Sequence, residues 1–120
     1  MTVSVLIVDD QAGFRSLARE VLTGRGYTVV GEASCRSEAL EAAACLHPEA
    51  VLLDVRLGDD SCLEVARALR GTCPDAAILL VSASLDAAAR HDLLRSADVV
   101  GFVPKWRLAS ADLAAFWSPE

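Results

Sequence analysis

The sequence lacks the features that mark membrane, secreted and cysteine-metal proteins. No apolar run approaches the roughly 20 residues that a transmembrane helix requires. No basic segment precedes the first apolar run, so we predict no secretory signal. The 4 cysteines form no CxxC pair, which disfavours a zinc or redox motif and indicates free thiols in a reducing cytosol. We therefore expect a cytoplasmic protein without membrane contact.

Basic charge is also scarce, because 17 acidic residues outnumber 11 basic ones and give a net charge of −6. Nucleic-acid binding needs a basic surface that displaces counterions from phosphates, so we expect no direct binding of DNA or RNA. Apolar residues are abundant, at 53% of 120 residues, and neither a repeat nor a long linker interrupts them. We predict a single domain over residues 1–120.

Short apolar runs alternate with longer amphipathic segments along the chain. From Phe14 to Leu22, for example, apolar residues recur at i, i+3, i+4, i+7 and i+8, which is typical of one face of a helix. We predict Ser84 as the N-cap of the fourth helix and a loop over residues 55–61. The predicted strands are 3–8, 28–33, 50–53, 76–81 and 99–103, and the predicted helices are 14–22, 36–46, 62–70, 86–97 and 108–117.

The third and fourth predicted strands indicate how the elements are arranged. Both are continuously apolar rather than alternating, which is typical of parallel strands covered on both faces. Right-handed crossovers between such strands produce a doubly wound sheet. Ligands of these sheets bind beyond the carboxyl ends of the strands. The predicted fold class is therefore α/β, with a five-stranded parallel sheet between two layers of helices.

Four of the predicted strands lead into polar side chains that can do chemistry. Asp9 and Asp10 follow the first strand, Asp54 the third and Ser82 the fourth, and Lys105 comes two residues after the fifth. Because the carboxyl ends of parallel strands meet at one edge of a sheet, these side chains should converge. Adjacent carboxylates repel one another unless a cation neutralises them, and carboxylate oxygens suit Mg²⁺. We predict a magnesium site at this edge.

The same set of side chains suits phosphoryl transfer. A carboxylate can act as the nucleophile, and the spreading negative charge needs cations and hydrogen-bond donors such as Lys105 and Ser82. Each residue also has a plainer interpretation. An aspartate after a strand can belong to a turn, a serine can begin a helix, and a single lysine is usually solvated. The order of the four strand ends along the chain favours a functional site.

Four motifs carry a resemblance that covers practically the whole chain: LIVDD at 6–10, LLDVRL at 52–57, VSA at 81–83 and FVPK at 102–105. In this order they resemble the receiver domain of bacterial two-component response regulators. The resemblance implies a flavodoxin-like (βα)5 fold with the strand order 2-1-3-4-5. It also implies a phosphoprotein that works in a phosphorelay.

The resemblance implies a role for each residue of the acidic cluster. Asp54 matches the residue that accepts a phosphoryl group from a sensor histidine kinase or a histidine phosphotransfer protein. Asp9 and Asp10 match the acidic pair that holds Mg²⁺, with Asp10 as a direct ligand. The implied metal set is therefore Asp9, Asp10, Asp54 and the backbone carbonyl of Arg56. Labelling would be stoichiometric, which differs from the turnover of an ordinary enzyme.

The resemblance also implies a switch and its readout. Ser82 matches the hydroxyl that moves toward the phosphoryl group, Lys105 the lysine that bonds it, and Phe102 the aromatic ring that swings inward. Ala83 matches a position that is kept small. The implied output surface comprises the fourth helix, the fifth strand and the fifth helix. A downstream protein would bind there, and a second copy of the chain is a further candidate partner.

The chain departs from the family pattern after Asp54. Many receivers carry proline and glycine where this chain has Gly58 and Cys62, and Arg56 should hang near the phosphoryl group and tune its lifetime. A degenerate receiver that only binds a partner remains open. An aspartate-nucleophile phosphatase is the other alternative, although no Asp-x-Asp follows the first strand and there is no room for a cap domain. Whether the receiver stands alone or is part of a longer regulator is left open.

Overall fold

Five strands form one parallel sheet in the computed structural model, which describes residues 2–84 and 86–117. The order across the sheet is β2-β1-β3-β4-β5, which confirms the predicted fold class and strand order. Register is continuous between β1 and β3 and between β3 and β4, and it shifts once between β1 and β2. The strands are β1 Ser4–Val8, β2 Thr28–Ala33, β3 Ala50–Asp54, β4 Ala77–Ser82 and β5 Gly101–Pro104.

Helices cover both faces of the sheet. On one face α1, Ala12–Gly24, packs on the sheet with the C-terminal segment. On the other face lie α2, Arg36–Leu46, and α3, Cys62–Thr72. Alternate residues of each central strand enter the two cores, and for this reason β3 is buried along its whole length. In the described part of the chain, no helix has the length and apolar character needed to cross a membrane.

The fourth helix begins close to the predicted residue, but the predicted cap and the predicted C-terminal end were wrong. The helix α4 spans Ala87–Leu94, and the carboxylate of Asp86 caps it by accepting the Ala89 amide at 2.8 Å. Ser84 is not the cap, because its backbone is engaged with the Ser82 hydroxyl at 3.0 and 3.3 Å. None of the residues of α4 is buried. The helix is therefore held more weakly against the sheet than α1 or α3.

The segment predicted to be a loop contains a small hairpin. Arg56–Leu57 pairs antiparallel with Asp60–Ser61, and Gly58 occupies the turn with a φ of 60°. Glycine enters this left-handed region without steric cost, so the residue fits the tight turn. Strands of two residues are too short for alternation to reveal them in the sequence.

The predicted fifth helix over 108–117 was also wrong. Two 3-10 segments, Lys105–Ser110 and Leu113–Ala115, take its place, and the extended backbone of Ala111 separates them. Arg25 donates to the carbonyls of Ala109 and Ala111, and these contacts stabilise the interrupted path. Residues 118–120 lie outside the described part of the chain.

A buried tryptophan anchors the C-terminal segment. The Trp117 side chain is 2% exposed, its Nε1 donates to the Ala77 carbonyl at 3.0 Å, and its ring meets Tyr27 edge-on at 5.6 Å between centroids. Burying this large ring together with its hydrogen bond favours the observed path over a regular helix. These contacts hold the C-terminal segment against β4 and Tyr27.

We expect Trp117→Ala to lower the free energy of unfolding by about 3–5 kcal/mol, because it empties a large buried volume. Trp106→Ala is the matched control, since that ring is 77% exposed, and it should change stability by less than about 0.5 kcal/mol. Urea unfolding followed by circular dichroism measures both. Equal effects of the two substitutions would contradict the anchoring role of Trp117.

Candidate functional site

The strand ends place the predicted side chains together at one edge of the sheet. Val8, the last residue of β1, pairs with Leu53, so Asp9 follows its strand beside the end of β3 at Asp54. One carboxylate oxygen from each of Asp9, Asp10 and Asp54 lies within 4.8 Å of the others. The convergence inferred from strand order is therefore present in the folded chain.

Burial separates this cluster from ordinary surface charge. Asp9, Asp54 and Ser82 are the three buried polar or charged residues in the described part of the chain, and Asp54 is 4% exposed. Asp10 is exposed. Burying carboxylates is costly unless cations or hydrogen bonds compensate them, so such a group indicates a site that accepts a cation.

The Lys105 ammonium is the cation that the fold supplies to the cluster. Its Nζ lies 2.7 Å from Asp9 Oδ2 and 3.5 Å from Asp54 Oδ2. It also donates to Gln11 Oε1 at 3.1 Å and lies 4.4 Å from the centre of the Phe14 ring. The Asp9 contact is close but poorly directed, since Oδ2 accepts no hydrogen bond from the described residues.

Sequence reasoning missed the two residues that orient Lys105. Gln11 directly follows the acidic pair, and Phe14 was assigned to the helix face that packs on the core. The core position of Phe14 is compatible with its further contact to the lysine. The adjacency of Gln11 to two aspartates was the available signal. The contact with Phe14 depends on how α1 packs beside β5, which sequence periodicity does not give.

Each buried aspartate divides its two oxygens between the backbone and the cluster. Asp9 Oδ1 accepts the Gln11 amide at 2.8 Å, and Asp54 Oδ1 accepts the Arg56 amide at 3.1 Å. These are the turn contacts that the plainer interpretation of the sequence anticipated. In both residues Oδ2 is the oxygen nearer to Lys105. The turn role and the cluster role therefore coexist in one side chain.

The pKa of Asp54 is raised above its ordinary value. Burial is the largest cause, and the nearby charges of Asp9 and Asp10 act in the same direction. The amide of Arg56 and the ammonium of Lys105 lower the pKa, but they do not offset the desolvation. A single lysine therefore leaves the cluster short of positive charge.

The residues fit a hard divalent cation. The three carboxylates offer only oxygen ligands, and Asp9 Oδ2 is a buried acceptor without a hydrogen bond from the described residues. Asp10 and Asp54 border an open cleft of about 230 Å³, whose further lining includes Arg56 and Lys105. The acidic cluster can therefore bind a metal, with room beside it for a small anionic group.

The two predicted switch residues lie in different places. The Ser82 hydroxyl reaches the cleft at the end of β4, where it donates to the Ser84 carbonyl at 3.0 Å. Phe102 lies outside the cleft on β5, half-buried against the core on the α3 side. A groove beside β5 has both Phe102 and Phe116 in its wall. The strand pairing of β4 with β5 connects the two positions.

The chain thus combines a doubly wound sheet with a lysine-bridged acidic cluster at the carboxyl edge of that sheet. The chain belongs to the response regulator receiver domain family, whose family model matches residues 5–115.

Curated relatives support this membership. The chain is 34% identical over 79 residues to the chemotaxis protein CheY of Thermotoga maritima, which covers 66% of each protein. It is 42% identical over 83 residues to the response regulator MprA of Mycobacterium ulcerans, covering 69% of the chain and 35% of the relative. The matched part thus spans about a third of the MprA relatives and just under two thirds of CheY.

Solved structures agree in fold. A response regulator from Burkholderia pseudomallei, described with a phosphorylated aspartic acid, a calcium ion and citrate, superposes with a TM-score of 0.81 at 28% identity. That match covers 97% of this chain and 67% of the other. The receiver domain of the response regulator NarL from Mycobacterium tuberculosis gives 0.80 at 28% identity, with 98% of each chain covered.

The raised pKa of Asp54 predicts a specific dependence of stability on pH. The folded state binds this proton more tightly than the unfolded state, so stability falls as pH rises from the ordinary aspartate pKa through the raised one. We expect Asp54→Asn to raise the melting temperature of the metal-free protein at neutral pH. The gain should shrink as the pH falls through the raised pKa towards the ordinary aspartate pKa, and it should be absent below the ordinary value.

Differential scanning calorimetry in EDTA measures this effect. Asp59→Asn, on the exposed turn of the hairpin, is the control and should leave the melting temperature unchanged. If Asp54→Asn melts at or below the temperature of the wild type at neutral pH, the charged Asp54 carboxylate does not destabilise the folded state as we expect.

Proposed function

We propose that the chain is a phosphorylatable receiver. In this proposal Asp54 accepts a phosphoryl group from a sensor histidine kinase or a histidine phosphotransfer protein, in a reaction that requires Mg²⁺. The observation that carries the proposal is the placement of the buried Asp54 carboxylate 3.5 Å from Lys105 and within 4.8 Å of two other carboxylates. A family relative of similar structure that is described with a phosphorylated aspartic acid supports the same assignment.

The chemistry is a transfer between two nucleophiles. A carboxylate oxygen of Asp54 forms a bond to phosphorus while the phosphorus–nitrogen bond of a phosphohistidine breaks, and the electron pair returns to the imidazole nitrogen. Asp9, Asp10, Asp54 and the Arg56 carbonyl would hold Mg²⁺, which would supply positive charge beside the phosphoryl oxygens. Lys105 lies at hydrogen-bond distance from the cluster and adds a second positive charge there.

The Ser82 hydroxyl is the proposed sensor of the phosphoryl group. It now donates to the Ser84 carbonyl, so donating to a phosphoryl oxygen requires that it leave this partner. Ser82 pairs with Pro104 across the β4–β5 register, and Phe102 lies two residues earlier on β5. A displacement of β4 at this point therefore reaches the half-buried Phe102 ring, which would turn inward.

The proposed output surface surrounds β5. It comprises α4, β5 and the 3-10 segments that replace the fifth helix, and it carries exposed apolar side chains. Trp106 is the most exposed of these large side chains, and Arg107 lies 5.7 Å from its ring. A downstream protein or a second copy of the chain would bind this surface. Residues 1–120 would act as one cytoplasmic domain.

Phosphorylation by a small-molecule donor tests the function directly. With acetyl phosphate and Mg²⁺, mass spectrometry should detect one added phosphoryl group per chain, and EDTA should prevent it. Asp54→Asn should abolish the label, whereas the control Asp60→Asn, on the hairpin, should keep it. Labelling that persists in Asp54→Asn would place the acceptor elsewhere. Absence of labelling in the wild type would favour a degenerate receiver that only binds a partner.

Arg56 is proposed to lengthen the life of the aspartyl phosphate. Arg56 is an exposed residue that lines the cleft, and a guanidinium there can pair with phosphoryl oxygens and obstruct an attacking water. We expect Arg56→Ala to dephosphorylate faster than the wild type after the donor is removed. Arg67→Ala is the control, because that side chain is 85% exposed on α3 away from the cleft. An unchanged rate in Arg56→Ala would remove this role.

A further inference from the structure

We infer that Arg15 is a positioning residue that fixes the Asp9–Asp10 backbone in the conformation the metal site requires. Arg15 lies on α1, and its Nη1 donates to the backbone carbonyl of Asp9 at 2.7 Å. Its Nε donates to Glu32 Oε1 at 3.2 Å, at the end of β2. One guanidinium therefore joins α1, β1 and β2 beside the cluster. The inference rests on the proposed binding of Mg²⁺.

The contact acts on the peptide that leads into Asp10. The Asp9 carbonyl belongs to the peptide unit between Asp9 and Asp10, so fixing that oxygen fixes the plane from which Asp10 departs. The exposed carboxylate of Asp10 has no hydrogen bond or ion pair of its own among the residues described. Its position beside the other two carboxylates therefore depends on the backbone. In the proposed site Asp10 is a direct ligand, so this dependence reaches the metal.

Other bonds hold the neighbouring atoms but leave this carbonyl to Arg15. The Asp9 amide donates to the Ala33 carbonyl at 3.0 Å, and Asp9 Oδ1 accepts the Gln11 amide at 2.8 Å. These contacts fix the start of the turn and the Asp9 side chain. Among the described residues, Arg15 supplies the one hydrogen bond that acts directly on the Asp9 carbonyl. Groups that orient metal ligands in this way commonly change metal affinity when they are removed.

The two contacts require an arginine, and another cationic side chain would not replace it. The planar guanidinium serves Glu32 and the Asp9 carbonyl with different nitrogens at fixed relative positions, which a lysine ammonium at one point does not reproduce. Glu32 holds Arg15 in place before any metal arrives. Its second oxygen binds Arg19 at 2.7 Å. Arg19 thus shares the anchor on Glu32, and no contact with Asp9 is found for it in the described residues.

The effect of Arg15 on Mg²⁺ affinity through its charge can be distinguished from its effect through the backbone. Removing a cation near three carboxylates strengthens the Coulombic attraction of the cluster for Mg²⁺. If Arg15 contributed only charge, Arg15→Met would therefore bind Mg²⁺ more tightly. If Arg15 fixes the backbone, the same substitution weakens binding. The two accounts predict changes of opposite sign.

Mg²⁺ titrations followed by amide chemical shifts in NMR test the inference. We expect the dissociation constant of Arg15→Met to rise about tenfold, while Arg19→Met stays close to the wild type. Arg15→Lys, which preserves the net charge, should also bind more weakly, and it decides the question if Arg15→Met does not fold. Unchanged or tighter binding in the Arg15 variants overturns the inference. Equal weakening in Arg15→Met and Arg19→Met also overturns it, because the effect would then come from the shared Glu32.

A metal-free measurement keeps this inference distinct from the proposed function. In EDTA, hydrogen exchange of the Gln11 amide, which donates to Asp9 Oδ1, should accelerate several-fold in Arg15→Met and stay unchanged in Arg19→Met. Unchanged exchange in Arg15→Met overturns the positioning role. If the wild type binds no Mg²⁺, the proposed function fails, whereas the exchange rates still decide whether Arg15 holds the turn.

Discussion

The mutual repulsion of three carboxylates at the end of a buried sheet is the constraint on which this molecule depends. Asp9 and Asp54 are buried, Asp10 lies beside them, and one ammonium balances them in part. Burial therefore raises the pKa of Asp54 rather than leaving it at its ordinary value. The positive charge beside the cluster is therefore too small to balance its three carboxylates. The cluster gains free energy from any group that supplies more, and a divalent cation supplies the most in the smallest space.

The rest of the fold holds these mutually repelling carboxylates together. Parallel pairing sets β1, β3 and β4 so that their ends align, and helices on both faces exclude water from the two central strands. Lys105 is aimed by Gln11 and Phe14, and the Asp9 turn is fastened by the Arg15 guanidinium. The carboxyl edge is thus pre-organised, whereas α4 has no buried residue and the proposed output surface is held less firmly. The proposed switch would use this combination of a rigid site and a more loosely packed surface.

Most of the fold was predictable because its signals are local. Short apolar runs and helical periodicity locate the strands and the first three helices, and the polar residues at the strand ends indicate the site. The errors occur where long-range contacts decide. Arg25 and Trp117 stabilise a 3-10 path instead of a fifth helix, through contacts with carbonyls far away in the sequence. The orientation of Lys105 by Phe14 likewise depends on packing that no sequence pattern reveals.

The central claim is that Asp54 carries unfavourable charge which a divalent cation relieves. The most direct test is the NMR titration of the Asp54 side-chain carboxyl carbon with pH, in EDTA and in saturating Mg²⁺. The account predicts a pKa above the ordinary aspartate value in EDTA and a clear decrease when Mg²⁺ is added. An ordinary pKa in EDTA, or one that Mg²⁺ leaves unchanged, would contradict it.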